Sequence, residues 1–321
     1  MRDRSEHHGR EAVGERLPGD LLRQVRRLEI HTRSLVTELF AGEYHSVFKG
    51  QGIEFAEVRE YVPGDDVRTI DWNVTARFGA PFIKRYSEER ELTVFLIVDA
   101  SGSMQFGSGS VRPGSGAPPA RSKADLATQL GALLALTAIR NKDKVGLLIF
   151  SDDVELLIPP RKTRTHGLRL VREMLAFHPR RQGSALGQAC ETAYHALRRR
   201  SVVFLLSDFR VPLESWSQPF GALARKHDLI ALSIADPLEY AWPEIGIVDW
   251  EDLEGGERVL FDTSHAPSRA ALQRGARDWE ARVGERLRRA GVDQIALEVG
   301  QDPVPALMRF FKLRERRRAR E

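Results

Sequence analysis

The chain has 321 residues, 42% of them hydrophobic and 29% charged, with a formal net charge of +4; this balance excludes a mainly disordered protein, and the length suggests one large domain or about two smaller ones. A single cysteine, Cys190, excludes an internal disulfide framework and a cysteine-based zinc cluster, and reads as a small buried apolar residue. No apolar run reaches the roughly 18–20 residues that cross a bilayer, the longest being Leu130 to Ile139, and the polar N-terminus has no secretory apolar region, so a cytoplasmic protein is expected.

Residues 1–16 read as a disordered N-terminus. An N-terminal helix and a polar, aromatic-containing segment then occupy 17–90. Leu21, Leu22, Val25, Leu28, Leu35, Val36 and Leu39 recur at helical spacing between Leu17 and Phe40. Short strands and an exposed turn are expected from Glu54 to Arg90, with turn signals at Pro63 to Asp66 and Phe78 to Pro81. The dense charges Asp65, Asp66, Arg68, Asp71 and Arg77 are read as pairs that lock this segment onto the following core, with a docking surface as the rival reading.

The main domain is placed at 91–300. Leu92 to Val98 is a continuous apolar run rich in β-branched residues, as in a strand buried on both faces of a parallel sheet. Phe106 to Arg121 is Gly, Ser and Pro rich and reads as a loop. Helices are expected over Lys123–Asn141, Thr165–Phe177, Ala185–Arg199, Trp216–His227 and Ser268–Ala290, and strands over Lys144–Phe150, Ser201–Ser207, Asp228–Ala235 and Asp293–Val299. Gly246–Trp250 and Glu257–Asp262 have the spacing of a hairpin. The alternation predicts an α/β fold, a doubly wound and mostly parallel sheet with helices on both faces. Residues 301–321 form a last helix, Val304 to Arg314, and a basic tail. That tail reads more readily as a frayed, solvated helix end than as a nucleic-acid contact.

In doubly wound sheets ligands sit beyond the carboxyl ends of the strands. The first core strand is followed by Asp99-Ala-Ser101-Gly-Ser103, and the strand ending at Ser207 is followed by Asp208, so two carboxylates fall on one rim. Between them Gly183-Ser184-Ala185-Leu186 opens a helix with a hydroxyl residue. Thr163 and Thr165 compete with Ser184 because they too precede a helix. Serine hydroxyls in such loops also serve as turn or cap groups. As a set, carboxylates and hydroxyls are hard oxygen donors that suit magnesium, manganese or calcium rather than zinc or copper.

Asp99-Ala-Ser101-Gly-Ser103 resembles the metal-ion-dependent adhesion site of von Willebrand factor type A domains, with Gly183 to Leu186 similar to the second loop and Leu206-Ser-Asp208 to the third. Serine stands at 184 where threonine is usual. The resemblance implies a divalent cation, Mg2+ before Mn2+ or Ca2+, held by Asp99, Ser101, Ser103, Ser184 and Asp208 and completed by an acidic group of a client protein. The flanks Gly50 to Phe55, Arg59 to Asp66, Arg68 to Trp72, Ala76-Arg77, Glu88 to Arg90 and Asp236 to Glu239 resemble the signature of the DUF58 family, from about Tyr44 to Arg314. That resemblance implies a non-catalytic partner or adaptor of a MoxR-type AAA+ ATPase in complex assembly or maturation. The alternative is a metal-dependent phosphohydrolase using Asp99. Against an enzyme, Ser101 stands where a haloacid-dehalogenase pattern needs a second Asp. The chain also lacks G-x-S-x-G, H-E-x-x-H and G-x-x-x-x-G-K-[ST] sequences.

Overall fold

A computed structural model of the chain describes residues 54–87, 92–107, 122–251, 253–255 and 257–318. The expected disordered N-terminus, the helix at 17–40, the signature residues at 50–53 and 88–90, most of the loop at 106–121 and the last three residues lie outside the described residues.

Strand β1 (Glu54–Glu60) pairs antiparallel with β2 (Phe82–Ser87), and helix α1 (Trp72–Phe78) lies between them in sequence. The expectation of short strands and a turn left out α1. It is a seven-residue helix set by its ends: the Asp71 carboxylate accepts from the Asn73 and Val74 amides, and Gly79 closes it at φ 73°. The described pairings of the segment's charges are local. Asp65 grips the Arg59 guanidinium at 2.7 and 2.9 Å, and Asp66 accepts from the Arg68 amide at 3.0 Å.

The main sheet starts with β3 (Thr93–Asp99), followed by α2 (Lys123–Arg140), β4 (Lys144–Phe150) and β5 (Val154–Arg161). Then come α3 (Arg164–Leu175), α4 (Leu186–Ala196), β6 (Val202–Ser207), α5 (Leu213–Lys226) and β7 (Asp228–Ala235). A hairpin of β8 (Ile247–Glu251) and β9 (Arg258–Asp262) precedes α6 (Ala266–Arg289), β10 (Asp293–Glu298) and α7 (Val304–Arg318). The strand order is β10-β7-β6-β3-β4-β5, parallel throughout except for β5.

The sheet is doubly wound. Val94, Leu96 and Val98 of β3 face a core built with α2, α3 and α7, whereas Phe95 and Ile97 face one built with α4, α5 and α6. Because both faces are covered, β3, β4 and β6 need apolar residues on both sides through their middles, which is why their sequences run without alternation. Each fully buried side chain of this kind contributes roughly 1.5–3 kcal/mol. The sequence reading passed over β5, which carries Pro159 and Pro160. A sheet edge tolerates them because the outward ladder positions have no partner to lose.

From β3 the chain winds outward to β4 and β5, then crosses back to place β6 on the other side of β3. The switch point therefore lies between the carboxyl ends of β3 and β6. At the far end of the chain, α7 sinks Val304, Leu307, Met308 and Phe311 into the core. The basic end is solvated at Lys312, Glu315, Arg316 and Arg317, but it is helical to Arg318 rather than frayed. Arg314 bonds Asp228 and reaches Asp293 at 3.7 Å, and Arg317 meets Asp293 at 3.1 Å.

Candidate metal centre

Asp99 ends β3 and is 2% exposed. The parallel register pairs Val98 with Leu206, so the next step along both strands brings Asp99 beside Ser207. Ser207 Oγ donates to Asp99 Oδ2 at 2.7 Å across 108 residues of sequence. The same hydroxyl accepts from the Phe209 amide at 2.9 Å, and Phe209 holds φ at 56°, so the chain turns sharply out of β6. Ser207 was not among the expected site residues. Its position just before Asp208 on the rim was the signal available.

The loop after β3 folds back on Asp99. The Ser101 amide donates to Asp99 Oδ1 at 2.9 Å, closing a tight Asx-type turn. Ser101 precedes a single 3-10 turn, yet its hydroxyl makes no capping bond there. Instead, Ser101 Oγ lies 3.1 Å from Ser103 Oγ. Gly102 is where the loop is pressed hardest. Its amide donates to the Gln182 carbonyl at 2.5 Å, and a Cβ there would overlap the Leu253 carbonyl oxygen. A side chain at 102 would thus push the Ser101–Ser103 loop away from the turn at Leu253 and against the Gln182 side chain.

Ser184 supplies the third hydroxyl, donating to Asp99 Oδ2 at 3.3 Å. Its loop is tied down by the Ala185 amide, which donates to the Ser151 carbonyl at 2.6 Å. Of the three competing hydroxyls, Ser184 is the one bonded to Asp99. Thr163 caps α3 by accepting from the His166 amide, and Thr165 lies within that helix. The N-cap position of α4 belongs to Ala185, so the Ser184 hydroxyl is left for Asp99.

Asp208 reaches the same rim with both oxygens engaged. Oδ2 accepts from Lys123 Nζ at 2.6 Å and Oδ1 from the Arg210 amide at 3.0 Å. Lys123 Nζ also donates to Glu239 Oε1 at 2.6 Å, and Arg210 stands 3.6 Å from Glu239 Oε2. The Lys123 side chain is 1% exposed. Burial pulls its pKa down, but the charges of Asp208 and Glu239 outweigh that and hold it above the ordinary value. Sequence reading missed Lys123, since a lysine at the first position of a helix ordinarily points to water.

Asp99 has no such counter-charge among the described residues. Burial and the nearby Asp208 raise its pKa from 3.8 to about 6, against the hydrogen bonds from Ser101 and Ser207. The described residues contain no group of three His, Cys, Asp or Glu side chains arranged for a metal. Asp208, the other expected ligand, has its oxygens taken by Lys123 and the Arg210 amide, which leaves one carboxylate with the hydroxyls of Ser101, Ser103 and Ser184 as the donor set. These hard oxygen donors fit magnesium, manganese or calcium, and a buried carboxylate without a cation is the electrostatic complement of one. Beside Ser103 and Lys123 opens a cavity of about 1000 Å³ walled by Trp242, Trp250, Leu253 and Phe261, with the two indoles stacked 4.4 Å apart.

Residues 57–282, more than two thirds of the chain, match the model of the family described as "Protein of unknown function DUF58". "Uncharacterized protein Rv1480" of Mycobacterium tuberculosis (strain ATCC 25618 / H37Rv) is 29% identical over 296 residues, covering 91% of this chain and 89% of that protein. Among solved structures, the conserved hypothetical protein BatB from Bacteroides thetaiotaomicron aligns over 70% of this chain and 99% of that one, at 17% identity and a TM-score of 0.42. The von Willebrand factor type A structure from Catenulispora acidiphila aligns over 73% and 43%, at 10% identity and a TM-score of 0.36. The doubly wound assignment rests on strand order and direction. From the extent of the family match, the chain belongs to the DUF58 family.

Proposed function

We propose that this protein is a non-catalytic, divalent-cation-dependent protein-binding module, with Asp99, Ser101, Ser103 and Ser184 as the residues that hold the cation. The observation that carries the reading is the convergence on the buried Asp99 carboxylate of its own Ser101 turn, of Ser184 from the loop before α4 and of Ser207 from the end of β6. When bound, the cation supplies a Lewis-acidic position for an acidic side chain of a client protein. The chain's residues do the rest. Ser207 and the Ser101 amide fix the carboxylate, the glycine at 102 lets the loops close, and Asp208 is held by Lys123 and the Arg210 amide. The neighbouring cavity offers room for the client segment that carries the acidic residue. A MoxR-type AAA+ ATPase is the partner that the resemblance to the DUF58 family implies.

The test is a binding assay between purified protein and the purified AAA+ ATPase, in magnesium and in chelator, with wild type and Asp99→Ala. Binding by wild type in magnesium alone supports the reading. Equal binding in all four conditions moves the interface away from Asp99. Turnover of a generic phosphate ester, lost in Asp99→Ala, overturns it in favour of a phosphohydrolase.

A further inference from the structure

The charges behind Asp99 form a closed set. Lys123 and Arg210 are the cations, Asp208 and Glu239 the anions, and they touch one another at 2.6, 2.6 and 3.6 Å. Lys123 is the hub. It comes from the first turn of α2, bridges the end of β6 to the 3-10 turn at Pro237–Glu239, and stands 5.9 Å from the centre of the Phe106 ring, away from water. The set sums to zero. Without Lys123, Asp208 and Asp99 would present two anions to the same rim; with it, the uncompensated charge is that of Asp99 alone.

From this arrangement we infer that Lys123 is a built-in counter-ion that sets the charge of the candidate cation site, keeping it at one net negative charge. The inference rests on the cation-site reading above and deepens it. A divalent ion at a site of charge −1 leaves an excess of +1, so the site is weak for the ion alone and strong for the ion together with a carboxylate. Lys123 thereby makes cation retention depend on an acidic partner group, and acts as a positioning and charge-setting residue without needing to touch the cation. A carboxylate-rich site of charge −2 would instead hold its ion permanently and gain little from an acidic client.

The test is titration of the purified full chain with Mn2+, followed by isothermal calorimetry and by the electron paramagnetic resonance of free Mn2+, with and without acetate as the carboxylate probe. Wild type is expected to bind Mn2+ more tightly when acetate is present. Lys123→Met removes a positive charge and is expected to bind Mn2+ at least about tenfold more tightly without acetate, as unit charges at an effective dielectric near 20 predict, with the acetate effect lost. Glu239→Gln removes a negative charge from the far side of the same set, keeps an oxygen to accept from Lys123, and is expected to bind Mn2+ several-fold more weakly. It serves as the independent test should Lys123→Met fail to fold. Lys123→Met binding Mn2+ no more tightly than wild type, or Glu239→Gln binding it as tightly as wild type or more tightly, overturns the inference while leaving the cation site standing. Absence of Mn2+ binding by wild type, with and without acetate, overturns both.

Discussion

Replacing Asp99 with asparagine removes one charge and almost no volume, so it isolates the electrostatic cost of this carboxylate. The folded-state pKa is raised from 3.8 to about 6, with burial the larger cause and Asp208 the second. A raised carboxyl pKa means that the folded protein binds a proton more tightly than the unfolded chain. Stability from this group is full below about pH 4 and is lost as pH climbs to about 6. At pH 7 the deficit is about 3 kcal/mol. The asparagine variant would escape it, because the Ser184 and Ser207 hydroxyls can accept from an amide as well as donate to a carboxylate. In chelator, urea unfolding should therefore show Asp99→Asn more stable than wild type at pH 7.5, by up to that amount, with the gap closing near pH 4. Magnesium should reverse the order at pH 7.5 by stabilising wild type alone. A variant less stable than wild type in chelator at pH 7.5 would refute the reasoning, since the hydrogen bonds to Asp99 would then satisfy its charge unaided.

Other variants and probes read individual side chains. Gly102→Ala should cost about 1–3 kcal/mol, because the new methyl meets the Leu253 backbone carbonyl. Gly183→Ala should cost less, since the clashing atom belongs to the Asp152 side chain, which can rotate away; thermal unfolding of the pair decides this. Cys190 is buried in α4 and its thiol pKa is pushed up to about 12, so a thiol reagent should label it only after denaturant is added. Arg314→Met should destabilise by about 1–3 kcal/mol through Asp228 and Asp293, whereas Arg316→Ala, on the exposed face, should be near neutral in the same denaturation assay.

What was legible in the sequence follows from how each element is held. Strands β3, β4 and β6 announce themselves because burial on both faces demands unbroken apolar runs. Asp99 and Asp208 were readable from the same fact, since each stands where such a run stops. Strand β5 was hidden by Pro159-Pro160, which only its edge position permits. Helix α1 was hidden by its length, because Asp71 and Gly79 define its ends where a longer helix would show periodicity. Ser207 and Lys123 were missed for a different reason. Their roles arise from contacts across 108 and 85 residues, and in local sequence they look like a strand end and a solvated helix start. Choosing Ser184 over Thr163 and Thr165 likewise required knowing which loop the sheet brings back to Asp99.

The central claim is that a divalent cation sits at Asp99. Its most direct test is a crystal of the protein soaked in Mn2+ and measured at the manganese absorption edge. One anomalous peak per chain is expected, within coordination distance of the Asp99 carboxylate and of hydroxyls from among Ser101, Ser103 and Ser184, with Lys123 still bridging Asp208 and Glu239. A well-ordered site with no peak, or a peak on Asp208 and Glu239 with Lys123 displaced, would contradict it.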